Sequence, residues 1–159
     1  MEVGSVRERI IVALLIYKFE EANVETEIPI TEPEVDAKFF EEPVSIKTIT
    51  GNSFGGVKLI WTVDDKKAKE FRENYYPHCD ILLVQIKWND VGGFYYIPLE
   101  VQKMLFDKIG RENYIKLQKP GTNPRVVEIT IEALTSLAED NESRYYNKLA
   151  KSKDWIQLL

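Results

Sequence analysis

The chain has 159 residues, 44% of them hydrophobic and 30% charged, with a formal net charge of −5. That is material for one folded domain, and it excludes a disordered chain. A single cysteine, Cys79, and a single histidine, His78, exclude an intrachain disulfide, a tetrahedral zinc centre built from those ligands, and nuclease chemistries that need several histidines.

Residues 6–22 read as a helix, because Ile10, Leu14 and Tyr17 recur at helical spacing and Glu20 and Glu21 close the stripe. Pro29 and Pro33 then favour extended chain. Two short strands are predicted over 34–39 and 44–49, joined by a polar turn around residues 40–43. A glycine-rich loop spans 51–56, and 57–63 alternates as a strand. Asp64 or Asp65 caps a helix that runs to about residue 74. The apolar run 81–88 reads as a buried strand, 89–93 as a turn, and 94–97 as a further strand. Pro98 suits the first turn of a helix ending near residue 109. Short strands are predicted over 114–118 and 126–130, and helix from residue 131 to the end. The expected architecture is a single α/β domain over 1–159, a mixed sheet flanked by helices, with a core over about 6–135 and a helical tail over about 136–159. The longest apolar run, residues 10–17, is too short to cross a membrane. The first residues lack the basic-then-apolar pattern of a secretion signal. With only one cysteine, this points to the cytoplasm.

Charge is unevenly spread. Residues 1–50 carry five cations against eleven anions, whereas residues 103–125 carry six cations against two anions. Suppose that the strands over 34–39 and 44–49 pair as a hairpin turning at residues 40 and 41. Asp36 then lies opposite Ser45, and side-chain alternation puts Lys47 on the same face. A carboxylate, a hydroxyl and an ammonium converge. Asp36, a glutamate from the first helix (Glu20 or Glu21) and the backbone carbonyl of Ile46 are hard oxygen donors that suit Mg²⁺. Such a metal polarises a phosphodiester and activates water, while Lys47 orients the water or offsets transition-state charge. The plain alternative is an Asp36–Lys47 cross-strand ion pair, which contributes little.

This pattern resembles the PD-(D/E)XK nuclease superfamily: a helix glutamate, then an aspartate at a strand tip, then acid-x-lysine on the next strand. Asp36 takes the aspartate position, and Ser45-Ile46-Lys47 the second half. Val35 stands where proline is usual, and Ser45 where the second acid is usual. In relatives with that replacement another carboxylate restores metal affinity, a role that the resemblance gives to Glu20 or Glu21, with Glu42, Glu70 and Glu73 in reserve. The stretches SIKTITGNSFGGVKLIWTVD, KKAKEFREN, CDILLVQIKW and GGFYYIPLEVQ look like the small type II restriction endonucleases grouped with ThaI. The resemblance covers about residues 10–130. It implies a restriction endonuclease-like core and Mg²⁺-dependent cleavage of double-stranded DNA at a short palindrome. It also implies a homodimer, since a two-fold protein reads a two-fold site, and a companion DNA methyltransferase.

Two segments suit DNA. In the loop over 51–56, Asn52 and Ser53 offer small polar groups, and Lys58 follows on the strand. The polar, cationic stretch 116–125 offers Lys119, Asn123 and Arg125 to phosphates or base edges. Trp61, Trp88, Phe94, Tyr95 and Tyr96 have strand spacing and are expected to pack in the core or an interface. Tyr145, Tyr146, Leu149, Trp155, Leu158 and Leu159 are expected to build a dimer contact. No chemistry is expected of His78 or Cys79. The rival readings are a structure-selective nuclease of the same superfamily, such as a junction resolvase, and a non-catalytic DNA-binding or interaction domain.

Overall fold

The computed structural model describes residues 6–29, 31, 34–119, 121 and 125–140. Helix α1, Val6–Phe19, forms where the apolar spacing predicts it. Its buried positions are Ile11 and Leu15, however, while Ile10, Leu14 and Tyr17 face outward. A helix apolar on most sides leaves the choice of buried face to packing. It ends three residues earlier than expected, because the Glu20 backbone turns left-handed (φ 68°). The Asn23 side chain donates to the Phe19 carbonyl at 2.8 Å. A short 3₁₀ turn over Glu21–Asn23 leads into β1, Val24–Glu25.

β2, Ala37–Phe39, and β3, Glu42–Thr50, form the expected hairpin. Its turn residues Phe40 and Glu41 both have positive φ (46° and 71°), the two-residue geometry that matches strand twist. Neither is glycine. The Phe40 amide donates to the Asn23 carbonyl at 2.9 Å and helps hold the turn.

β4, Val57–Thr62, and α2, Asp65–Asn74, follow, with the Asp64 side chain accepting from the Lys66 and Lys67 amides at the helix start. β5, Asp80–Ile86, runs parallel to β3. Parallel neighbours need a long crossover, and β4 with α2 supplies it. β6, Gly93–Ile97, returns antiparallel along β5. The five-stranded mixed sheet has the order β1-β2-β3-β5-β6. α3, Leu99–Ile109, and α4, Arg111–Tyr114, lead to β7, Ile115–Leu117, β8, Arg125–Ile129, and α5, Ile131–Glu139. β4, β8 and β7 form a separate antiparallel sheet of three strands.

The large sheet has two covered faces. On one, Ala37, Val44, Ile46 and Leu82 pack against Ile11 and Leu15 of α1. On the other, Ile49, Ile81, Leu83 and Ile97 pack against the small sheet, α3 and α5. Phe94, Tyr95 and Tyr96 pack against these cores as expected. Trp61 and Trp88 do not: they are 62% and 71% exposed, one near the end of β4 and the other past the end of β5. The aromatic tail contact, from Tyr145 to Leu159, lies outside the described residues. No helix among the described residues is long and apolar enough to cross a membrane.

Candidate active site

The hairpin register decides which side chains meet. Ala37 pairs with Val44, so Asp36 comes level with Ser45. The Asp36 amide donates to the Val44 carbonyl at 3.0 Å. Asp36 Oδ2 accepts from the Ile46 amide at 2.7 Å and from Ser45 Oγ at 3.3 Å. The Asp36 side chain thus takes the Ile46 amide just past the end of β2, and its rotamer is fixed by β3 itself. Val44 and Ile46 are buried beneath α1, and alternation sends Ser45 and Lys47 to the other face. Among the described residues Lys47 makes no ion pair, and Asp36 Oδ1 accepts no hydrogen bond.

A second carboxylate belongs to this neighbourhood. Glu34 is 7% exposed and lies 3.7 Å from His78 Nδ1. Its carboxyl titrates above the ordinary glutamate range, first because burial disfavours the charge. His78 and Lys47 pull it back, and Asp36 adds to the rise. Glu34 also lines a cavity of about 430 Å³ with Lys67, Glu70, Asn74, Tyr75 and His78. Cys79 is buried beside it; burial, then Glu34, pushes its thiol up to about 12. A thiol that stays protonated is no nucleophile.

Sequence reasoning missed Glu34 and His78. The sequence offers only nearness as a signal for Glu34: it stands two residues before Asp36, in a turn that leads into β2. His78 could not be found that way. It arrives because β5 pairs in parallel with β3, Val44 against Asp80, which sets the residues before β5 beside the start of β3.

The expected helix acids are not brought to Asp36. Glu20 and Glu21 are exposed. Glu21 lines a different cavity, of about 640 Å³, with Lys38, Phe40 and Glu41 at the turn end of the hairpin. Phe40 and Asp36 are four strand residues apart, roughly 13 Å at about 3.3 Å each. α1 also packs on the face opposite Ser45 and Lys47. Glu42 is exposed beside the turn, level with Phe39. Of the reserve acids on α2, Glu70 reaches the cavity that Glu34 lines, and Glu73 is exposed beside Arg72.

Asn52 and Ser53 are exposed just past β3. Lys58 is exposed and level with Glu128, which lies 3.7 Å from Lys116. Lys119 is exposed past β7, Arg125 begins β8 level with Thr62, and Asn123 lies outside the described residues. β4 starts opposite Ile129 and ends opposite Arg125, so Asn52 and Ser53, which precede β4, and Arg125 sit at opposite ends of the small sheet, while Lys58 and Lys116 are both level with Glu128.

Among the described residues, no three His, Cys, Asp or Glu side chains form a ready-made metal cage. The donor chemistry is nonetheless one that a hard cation fits: the Asp36 carboxylate keeps one oxygen unused, with the other held by the Ile46 amide and the Ser45 hydroxyl. Mg²⁺ suits such a site, because it takes one or two carboxylates and keeps several waters.

The family model for the restriction endonuclease ThaI matches residues 1–158. A solved structure described as a restriction endonuclease in complex with substrate DNA shares 61% identity with this chain, at a TM-score of 0.82. The likeness covers 89% of this chain and 68% of that one. No curated protein matches.

Proposed function

As the chain belongs to the ThaI restriction endonuclease family, we propose that it hydrolyses phosphodiester bonds of double-stranded DNA at a short palindromic site, using Mg²⁺ at a PD-(D/E)XK-type centre. The observation that carries this reading is the hairpin register, which sets Asp36 level with Ser45 and puts Lys47 on the Ser45 face. Asp36 presents its free oxygen to the cation, and the Ile46 amide and Ser45 hydroxyl hold the opposite oxygen. The Ile46 carbonyl leaves the strand on the same edge as its amide and is a further donor. When bound, Mg²⁺ supplies Lewis-acid activation of a water and of the scissile phosphate. Lys47, uncommitted to any ion pair among the described residues, orients that water or offsets charge on the pentavalent phosphorus.

Two copies bind as a homodimer, which matches a two-fold site. Asn52 and Ser53 approach the duplex at one end of the small sheet and Lys119 and Arg125 at the other, with Lys58 and Asn123 as further contacts. A cytoplasmic enzyme of this kind needs a companion DNA methyltransferase to protect host sites.

The test incubates wild-type protein, Asp36→Asn and Lys47→Ala with mixed-sequence linear duplex and Mg²⁺. Wild type yields discrete bands, and removing Lys47 lowers the rate by about 10²–10³. Undiminished cutting by either variant overturns the mechanism. Cutting of branched DNA alone overturns the sequence-specific reading in favour of a structure-selective nuclease.

A further inference from the structure

We infer that Gln85 and Tyr95 are positioning residues for DNA reading: they pin the loop after β3 at two points and hold Asn52 and Ser53 out between them as a preset pair of polar groups. This rests on the reading of Asn52 and Ser53 as DNA contacts. Gln85 is the one polar residue of β5 after Asp80, and it is 5% exposed. A buried amide is costly without a hydrogen bond. Its Nε2 donates to the Gly51 carbonyl at 2.9 Å. The Gly51 amide donates to the Ile86 carbonyl at 3.0 Å, so β5 holds both main-chain groups of the residue at which the loop leaves β3. Gly51 has φ 120°, a backbone that side chains rarely adopt, whereas a Cβ there would meet nothing within 4 Å. The path of the chain requires glycine at this anchor, and crowding does not.

The second anchor is Phe54. Its ring meets Tyr95 of β6 edge to face, with centroids 5.5 Å apart, and both pack against the core. Such a pair contributes beyond its buried area. Gly93, two residues before Tyr95, leaves the room, because a Cβ there would run into the Tyr95 ring. Between the anchors, Asn52 and Ser53 are exposed. A segment this short, fixed at both ends, has little freedom left to lose when it meets a partner. A loop that only turned the chain would need neither a buried amide nor an aromatic clasp. Polar groups set in place before binding suit base edges, where register matters, better than general attraction to phosphate.

The experiment digests a mixed-sequence linear duplex in Mg²⁺ and separates KM from kcat for wild type, Gln85→Met, Tyr95→Leu, Tyr95→Phe and a loop variant carrying both Asn52→Ala and Ser53→Ala. Thermal unfolding serves as the folding control. Methionine fills the space of Gln85 without its donor. Expected for Gln85→Met and for Tyr95→Leu is a rise in KM of about three- to tenfold, with kcat within about twofold and extra bands from near-match sites. Tyr95→Phe keeps the ring and is expected to cut as wild type does. Added to the loop variant, Gln85→Met is expected to change KM by less than about twofold, because the groups that it places are gone. Wild-type KM and bands in folded Gln85→Met or Tyr95→Leu overturn the role of that residue, and full additivity with the loop variant overturns the positioning role of Gln85. If Gln85→Met does not fold, Gly51→Ala loosens the same anchor from the loop side, in open space, and is expected to show the same rise in KM. Wild-type KM in the loop variant overturns the DNA role of Asn52 and Ser53 and this inference with it, and leaves the cleavage mechanism standing. No cutting by wild type overturns the cleavage reading and, with it, this inference.

Discussion

Asp36 does two jobs that two substitutions separate. Its Oδ2 is the acceptor for the Ile46 amide at 2.7 Å, and Ile46 is 1% exposed. Asp36→Ala takes away that amide's acceptor, at about 1.5–3 kcal/mol for a bond to a charged group. The Ser45 hydroxyl, held at 3.3 Å, loses a weaker partner and can rotate. Against these losses, removing the charge relieves its repulsion of Glu34. The net is a destabilisation of about 2 kcal/mol, which at this length lowers Tm by about 4–8 °C. Asp36→Asn keeps a carbonyl oxygen in the same place and relieves the same repulsion, so its Tm is expected within about 2 °C of wild type, while cleavage is lost. Urea and thermal unfolding of the two variants beside wild type, with a DNA-cutting assay on each, checks both halves. Equal stability of all three proteins refutes the structural role of Asp36. Full cutting by Asp36→Asn refutes the catalytic one.

The β5–β6 turn is expected to reject a side chain at Gly92. A Cβ there would stand 2.1 Å from the Gln85 carbonyl, and backbone cannot yield as a side chain tip can. Gly92→Ala is therefore expected to cost about 1–3 kcal/mol, seen as a lower urea midpoint; an unchanged midpoint refutes the contact. Cys79 is expected to resist iodoacetamide at pH 8 in the folded protein and to react on unfolding. Its thiol is pushed up to about 12 from an ordinary 9.0. The folded state holds that proton longer, so the associated stability is full below pH 9 and is lost as pH rises towards 12. Stoichiometric labelling without unfolding contradicts this. Lys119→Ala and Arg125→Ala are each expected to weaken duplex binding and to lower the slope of log affinity against log salt by about one. Unchanged binding and slope in both removes this end of the small sheet from the DNA interface.

Local rules in the sequence determined the elements of this protein and one pairing. Alternation and turn placement set Asp36 opposite Ser45, and the Asp64 side chain caps α2 as its residue type suggests. The apolar run that starts after Asp80 predicts a strand covered on both faces, and β5 is an interior strand parallel to the central β3. These features depend on neighbours within about ten residues, which a sequence displays. Tertiary structure decided the rest. Whether Ile10 or Ile11 faces inward is settled by the sheet that α1 meets, because both sides of the helix are apolar. That β4, β7 and β8 form their own sheet depends on pairing across more than sixty residues, from Val57 to Ile129. The site divides in the same way. Asp36, Ser45 and Lys47 share a hairpin and were legible. His78 reaches Glu34 only because two strands far apart in sequence run parallel, and the acids at the end of α1 miss Asp36 because that helix covers the other face.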